Sequence, residues 1–315
     1  YRYNLTTGEE TIYRHSDSDS RTLTQDRITD IATDEDGRIV VATLKGLNIY
    51  DHEHDNFERI TQDDAAPSKA LSSNFINCLL PTAQGIWVGT DVAGADLVSP
   101  ISLDVTNYTT DEICGLSPHR AAMPTCALRP VNSIIEDSEG TLWVGTVEGG
   151  LAHRVRGGKK FDVMTRANSR LCHNSISALA LDGRGLLWAG TWGGGVDVID
   201  IRRKGQPVVR HFASEPGGIS SNFVGSLTPD TINHGMWVGT IRGIDFVRAD
   251  SVMQPIAPQN FNDMDGALGS CVDDKGRLWM GTSLGLFVVD LHSFSERTHT
   301  VRHKLINHRL DDPKA

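Results

Sequence analysis

Residues 182–191 read DGRGLLWAGT, Asp182 to Thr191, an acidic turn closed by glycine and followed by an apolar strand ending Trp-Ala-Gly-Thr. The same phrase recurs along the whole chain, as GRIVVAT (Gly37 to Thr43), GIWVGT (Gly85 to Thr90), GTLWVGT (Gly140 to Thr146), GLLWAGT (Gly185 to Thr191), GMWVGT (Gly235 to Thr240) and GRLWMGT (Gly276 to Thr282). The closing threonines are 47, 56, 45, 49 and 42 residues apart, and five of the six tryptophans, Trp87, Trp143, Trp188, Trp237 and Trp279, lie inside the phrase. Around each copy stand short runs rich in Val, Ile and Leu, separated by turn residues and lacking a 3.6-residue period. Each unit therefore reads as a four-stranded antiparallel meander, with its Trp packing between neighbouring units and its Trp and Thr (Thr90, Thr146, Thr191, Thr240, Thr282) serving the architecture.

Four strands in about 45 residues, repeated six times, predict an all-β fold, a β-propeller whose blades bury their faces only by stacking on one another. A second phrase keeps the same register. Leu71-Ser-Ser-Asn74-Phe-Ile76, Leu171-Cys-His-Asn174-Ser-Ile176 and Ile219-Ser-Ser-Asn222-Phe-Val224 each open a first strand. Residues 1–315 then form one propeller region, with blades over about 27–62, 74–109, 130–165, 175–213, 222–258 and 266–302. Residues 1–14 read as the end of a preceding blade and 104–130 as an inserted loop, so the expectation is six full blades plus a partial one, an excerpt of a seven-bladed ring.

Composition narrows the function. Thirty Lys+Arg against forty Asp+Glu give a net charge of −10, which offers no general attraction for nucleic acid or anionic lipid. No run of 18 apolar residues is present, and the first residues lack a basic stretch followed by an apolar one. The five cysteines form no zinc-spaced set. Cys78 and Cys271 read as small buried residues of apolar strands, whereas Cys114 and Cys126 flank a loop-like stretch within the inserted segment and are candidates for a disulfide in an oxidising compartment.

No catalytic constellation, metal site or cofactor is expected. Asp34-Glu-Asp36-Gly37 resembles the start of a calcium loop but lacks its later acidic ligands, and is read as a β-turn in which Asp bonds the backbone and Gly takes positive φ. His299 and His303 are four apart in an extended segment, about 13 Å by strand rise, and read as surface residues. No G-x-S-x-G elbow occurs.

The residues following each motif threonine share one face with the loops between blades: Leu44-Lys45, Asp91, Val147-Glu148, Trp192, Ile241-Arg242 and Ser283. Trp192, the one tryptophan outside the phrase, stands in the glycine-rich turn Thr191-Trp-Gly-Gly-Gly195. An aromatic there, with Asp91, Glu148, Lys45, Arg242 and the neighbouring His173, suits stacking on a sugar while polar groups bond its hydroxyls. Its alternative is packing against the next blade.

The combination Asn-x-[Ile/Val], Asp-x-x-Gly, Leu-Trp-x-Gly-Thr and Gly-Leu-x-x-x-Asp resembles the two-component regulator propeller repeat, best seen in Asp137 to Leu151, Asp182 to Asp200 and Asp273 to Asp290. Blade one departs, with Val40 for Trp and Ala42 for Gly, as does blade two, with Pro81-Thr-Ala-Gln for the Asp turn. The resemblance implies a periplasmic sensor region of a hybrid two-component histidine kinase of glycan-degrading gut bacteria. It also implies a homodimeric, membrane-anchored parent whose kinase, phospho-acceptor and DNA-binding parts lie outside these residues. The expected function is signal transduction by sensing an oligosaccharide and controlling polysaccharide-utilisation genes through a phosphorelay. The alternatives are a protein-interaction scaffold and a propeller lyase or glycosidase.

Overall fold

The computed structural model describes residues 2–4, 7–63, 67–99, 101–115, 130–203, 207–248, 251–256, 269–282, 285–295 and 297–306. They form six four-stranded antiparallel sheets in which successive strands are neighbours, together with a hairpin of Arg2–Tyr3 and Glu10–Thr11. The first sheet comprises Ile28–Thr33, Ile39–Thr43, Gly46–Asp51 and Asn56–Ile60; the second Ile76–Thr82, Gly85–Thr90, Ala95–Val98 and Val105–Tyr108. The third comprises Val131–Glu136, Leu142–Thr146, Gly150–Arg154 and Asp162–Met164; the fourth Ile176–Leu181, Leu187–Thr191, Val196–Ile199 and Val208–Phe212. The fifth comprises Val224–Asp230, Gly235–Thr240, Gly243–Arg248 and Ser251–Met253; the sixth Gly269–Val272, Arg277–Thr282, Gly285–Ser295 and Thr300–Ile306. Among the described residues, helix is confined to Thr110–Ile113, started by a Thr109–Glu112 capping box, and a 3₁₀ turn at Pro67–Lys69.

The chain divides into two compact units, Tyr1–Thr146 with Ala152–Val163, and Val147–Leu151 with Met164–Ala315. In the first unit, Val40, Leu47, Ile76, Ile86 and Val88 join sheets one and two, and Trp87 and Cys78 pack with Val131, Ile134, Leu142 and Val144 of sheet three. In the second, Trp188 and Val198 pack with Ile219, Val224 and Met236 of sheet five, and Trp237 and Phe246 with Leu278, Met280 and Phe287 of sheet six. The second strands of sheets one to five are buried on both faces, with all six residues of Gly85–Thr90 buried, whereas Arg277–Thr282 of sheet six is buried only at Leu278 and Met280. A fully buried tryptophan removes about 200 Å² from water, roughly 5 kcal/mol before the entropic cost. The motif glycine has a steric reason as well. A Cβ at Gly190 would stand 2.7 Å from Val224 of the next sheet, and one at Gly89 2.4 Å from Cys78 and 2.7 Å from Val131.

The acidic turn holds both its own backbone and the tryptophan. Asp137 accepts the N–H of Glu139 and Thr141 on one oxygen and the Trp143 indole N–H at 2.9 Å on the other. Asp182 does the same for Arg184, Leu186 and Trp188, Asp230 for Ile232, Asn233 and Trp237, and Asp273 for Lys275, Arg277 and Trp279. Burial pushes the Asp273 carboxyl up, but the Trp279 indole and Arg277 outweigh it and hold the group well below the usual carboxylate range. Gly37, Gly140, Gly185 and Gly276 close their turns at positive φ, and the non-glycine His234 takes that role at φ 56° in sheet five. In sheet one, Asp34 instead binds Arg38, since Val40 has no indole. In sheet two, Thr82 replaces Asp and binds Gly85 and Gln84, while Trp87 is covered by Tyr108 and the Arg154 guanidinium.

At the other end of the second strand the motif threonine clamps the following turn. Its Oγ1 donates to the carbonyl of Gly46, Gly94, Gly195, Gly243 or Gly285 at 2.8–3.1 Å. A further polar contact recurs on the third strand. The side chain of Asn48, Asp96, Asp197 or Asp245, each fully buried, accepts the N–H of Thr24, Ser72, Cys172 or Ser220 at 2.7–2.9 Å. This aligns a fourth copy of the entry phrase, Leu23-Thr-Gln-Asp26-Arg-Ile28, with the three copies recognised in the sequence. Burial raises the Asp96 carboxyl and pushes Asp245 up to about 6.

Cys78 is buried, as expected. Cys271 is exposed, contrary to expectation, because Gly269–Val272 is exposed at three of its four positions. Cys114 is buried beside the helix Thr110–Ile113, and Cys126, its proposed partner, lies outside the described residues. His299 stands in a turn and His303 in the extended strand Thr300–Ile306, both exposed.

Two outcomes are expected. Asp137→Ala strands three N–H donors and lowers stability by about 2–4 kcal/mol in urea denaturation, whereas Glu139→Ala, at an exposed position of the same turn, changes it by about 0.5 kcal/mol or less. Asp245 keeps its proton in the folded chain up to about pH 6, while the ordinary carboxyl releases it near 3.8. The folded state therefore binds more protons between those values, and stability falls as pH rises through them. Asp245→Asn, the side chain that sheet one carries at Asn48, removes that slope. Its advantage over the parent grows from pH 4 to pH 6 to on the order of 1–3 kcal/mol, measured by denaturation at each pH.

Candidate functional site

The turn Thr191–Gly195 is held at nearly every backbone donor. Thr191 Oγ1 donates to the Gly195 carbonyl and accepts the Gly194 N–H, Trp192 N–H donates to the Ser175 carbonyl, and the N–H groups of Gly193 and Gly195 donate to the Asn222 carbonyl. Gly193 and Gly195 have φ of 128° and 90°, and a Cβ on Gly195 would meet the Phe212 carbonyl at 2.1 Å. Such a turn presents its side chain from a fixed backbone. Trp192 remains 44% exposed, with its ring edge-on to Phe223 of sheet five at 5.5 Å and 81°, and Phe223 is itself 39% exposed. The packing expected as the alternative for Trp192 is thus present in part: it rests against the next sheet, while its other surface faces solvent.

Ser175, which the sequence reading did not single out, ties three of the expected residues together. Its carbonyl receives Trp192 N–H, its Oγ donates to Glu148 Oε1, and its N–H donates to His173 Nδ1 at 3.0 Å. The Nδ1 acceptor role leaves the neutral ring's proton on Nε2, on the side of Gly193. In sheets two and five a serine hydroxyl, Ser73 or Ser221, fills the place of His173 and accepts the N–H of Phe75 or Phe223. Glu148 is exposed and adopts φ 56°.

Arg242 is exposed on the corresponding turn of sheet five, next to Ile241, whose N–H donates to the Phe223 carbonyl. The second unit therefore holds Glu148, His173, Trp192 and Arg242, the first three joined by Ser175. Lys45 and Asp91 belong to the first unit. Lys45 is exposed with its N–H on Thr43 Oγ1, and Asp91 is half-buried with its N–H on the Phe75 carbonyl, the contact that Trp192 makes with Ser175. Ser283 lies outside the described residues.

Directly beneath the turn, Cys172 Sγ lies 3.7 Å from Thr191 Oγ1. Burial and the adjacent Asp197 carboxylate push its thiol up to about 12, and the hydrogen bond to Asp197 raises His211 above the ordinary histidine value. Neither Cys172 nor His211 was singled out in the sequence. The signal that could have found them is the recurrence of Gly-x-Asn/Asp at the start of third strands, Gly46-Leu-Asn48, Gly94-Ala-Asp96, Gly195-Val-Asp197 and Gly243-Ile-Asp245, which places a polar residue inside an apolar strand.

Among the described residues no helix is long and apolar enough to cross a membrane. Several solved structures share the fold. The extracellular domain of a protein described as a hybrid two component system from B. thetaiotaomicron matches with a TM-score of 0.67 at 19% identity, over 93% of this chain and 36% of its own. PorZ, a surface component of the type-IX secretion system of Porphyromonas gingivalis, matches at 0.60 and 15% identity, over 89% of this chain and 46% of its own. A chain of a mitotic checkpoint complex matches at 0.59 and 13% identity, over 97% and 81%. This chain spans less than half the length of the two bacterial structures, and likenesses at such identities speak for the β-propeller fold alone. No curated protein matches the chain by sequence. The family model described as two component regulator propeller matches residues 70–92, 128–148 and 170–193, each ending just past a Trp-x-Gly-Thr strand, so these three segments are similar to two-component regulator propeller repeats.

Proposed function

We propose that this propeller is a non-catalytic, extracytoplasmic sensor domain of a hybrid two-component histidine kinase, and that it detects an oligosaccharide and controls polysaccharide-utilisation genes through the parent's phosphorelay. The regulator repeats and the fold shared with the B. thetaiotaomicron extracellular domain support the sensor reading. The observation that carries the ligand class is Trp192: a half-exposed indole on an immobilised turn, set against Phe223, with Glu148, Ser175 and His173 beside it. A sugar ring offers an apolar C–H face to the indole and hydroxyls to a carboxylate and imidazole. The turn's ordering precedes binding, so little conformational entropy is lost when a ligand docks. In the periplasm, a parent homodimer would transmit the signal if the ligand binds one packing arrangement more tightly than the other.

A second reading, a docking scaffold for another protein, is favoured by Phe75, 51% exposed at the register that Phe223 holds in sheet five. Thermal unfolding against a panel of plant, host and microbial oligosaccharides separates the two. A sensor gains about 2.7 kcal/mol at a hundredfold excess of ligand over Kd, seen as a concentration-dependent rise in Tm. Trp192→Ala abolishes the rise and Phe75→Ala leaves it in place. Absence of any rise with the folded domain, or a rise untouched by Trp192→Ala, defeats the site assignment. Loss of the rise in Phe75→Ala alone would move the site to the first unit.

A further inference from the structure

We propose that Cys172, Asp197 and His211 form a binding site for one divalent cation of the zinc class, directly under the Trp192 turn. The inference does not rest on the oligosaccharide reading. One ligand atom from each residue, a sulfur, a carboxylate oxygen and an imidazole nitrogen, lies within 4.8 Å of the other two. Asp197 is fully buried; its Oδ2 accepts the Cys172 N–H at 2.7 Å and its Oδ1 faces His211 Nδ1 at 3.0 Å. Three separate segments supply the set: the entry phrase, the third strand, and the fourth strand at the position directly opposite, since Asp197 and His211 are register partners. The sheet thus fixes Asp197 and His211, and the Cys172 N–H bond to Asp197 Oδ2 ties the entry phrase to them.

The repeat supplies an independent comparison. The buried Asp or Asn is common to four sheets and has the same structural task in each. Its two companions are Thr24 and Arg59 in sheet one, Ser72 and Asn107 in sheet two, and Ser220 with the nearby Gln254 in sheet five. Hydroxyl and amide groups bond the buried side chain in these sheets, while the Arg59 guanidinium turns to the Thr22 and Leu23 carbonyls, so the clamp itself needs neither a thiol nor an imidazole. Among the described residues, sheet four alone places both around the buried carboxylate, and these are the two side chains that bind borderline and soft metals best.

The donor set argues against calcium and magnesium, which take oxygen ligands. A tetrahedral zinc with bonds of about 2.0–2.3 Å holds its donors roughly 3.3–3.7 Å apart, so the present spacing closes on an ion through side-chain rotations of about an ångström. The His211 side chain is 42% exposed, which provides an entry path and room for a water as fourth ligand. The ion would brace the overlying turn, because Cys172 Sγ contacts Thr191 Oγ1 and would lie 2.7 Å from a Cβ on Gly194.

The test uses the chelator-stripped chain and zinc chloride, with bound metal counted by mass spectrometry after equilibrium dialysis, and cobalt(II) as a spectroscopic substitute. The expected result is one zinc per chain, a thiolate-to-cobalt charge-transfer band, and affinity reduced roughly tenfold or more in Cys172→Ser and in His211→Gln. Serine is the natural occupant at Ser72 and Ser220, so Cys172→Ser keeps the clamp, and its unfolding midpoint without metal verifies the fold. Cys271→Ser, at an exposed thiol elsewhere, leaves binding unchanged. No stoichiometric zinc, a cobalt complex without the charge-transfer band, or equal affinity in the parent and both variants overturns the proposal.

Discussion

The contact on which four of the six blades depend is the carboxylate at the end of the first strand, which binds the turn with one oxygen and the tryptophan of the second strand with the other. A buried indole N–H without an acceptor and a tight turn without its anchor would each cost free energy. One aspartate meets both needs, and in doing so sets how deep the tryptophan sits. That depth decides what the next sheet within the unit packs against, as Trp188 and Trp237 show against sheets five and six. Where the sequence departs from the phrase, another group takes over. Arg38 occupies Asp34 when the indole is absent, and Arg154 with Tyr108 covers Trp87 when the carboxylate is absent.

Repetition also separates architecture from specialisation. The threonine clamp and the Asp or Asn contact on the third strand recur with closely similar lengths, so the side chains that differ around them are free to do something else. Sheet four uses this freedom twice. His173 takes a serine's place beside Trp192, and Cys172 with His211 takes the place of hydroxyl and amide groups beneath it. Both substitutions lie against the same glycine turn, where a Cβ on Gly194 would meet Cys172 Sγ and His173 Cβ alike, so the solvent-facing aromatic and the thiol share one turn.

The fold was largely legible because its signals are local. Strand length, alternation, Asp-to-Gly turns and a recurring Trp depend on residues within a few positions of one another, and six copies reinforce any single one. Asp34, Asp137 and Asp182 were readable as backbone-binding turn residues for the same reason. Their second bond, to the indole, was not read, although Asp and Trp are only six residues apart in three of the blades. The exposure of Cys271 was misjudged because an apolar run shows that a strand forms without showing how many neighbours cover it. The fourth entry phrase, at Leu23–Ile28, escaped notice because Gln, Asp and Arg replace Ser, Asn and Phe. Only its hydrogen bonds reveal the equivalence.

The sequence by itself determined the all-β class and the six four-stranded units seen among the described residues, since both are written in short-range periodicity that folding merely expresses. It also pointed to Trp192, because a tryptophan in a glycine turn is unusual wherever it lies. Only the tertiary structure decided that Trp192 rests on Phe223, that Ser175 joins Glu148 and His173, and that Cys172, Asp197 and His211 converge. Apart from Ser175 and His173, those partners are 14 to 39 positions apart in the chain. They meet because sheet pairing and the stacking of successive sheets convert equal steps along a repeat into neighbours in space, and no local pattern encodes which neighbours a side chain will find.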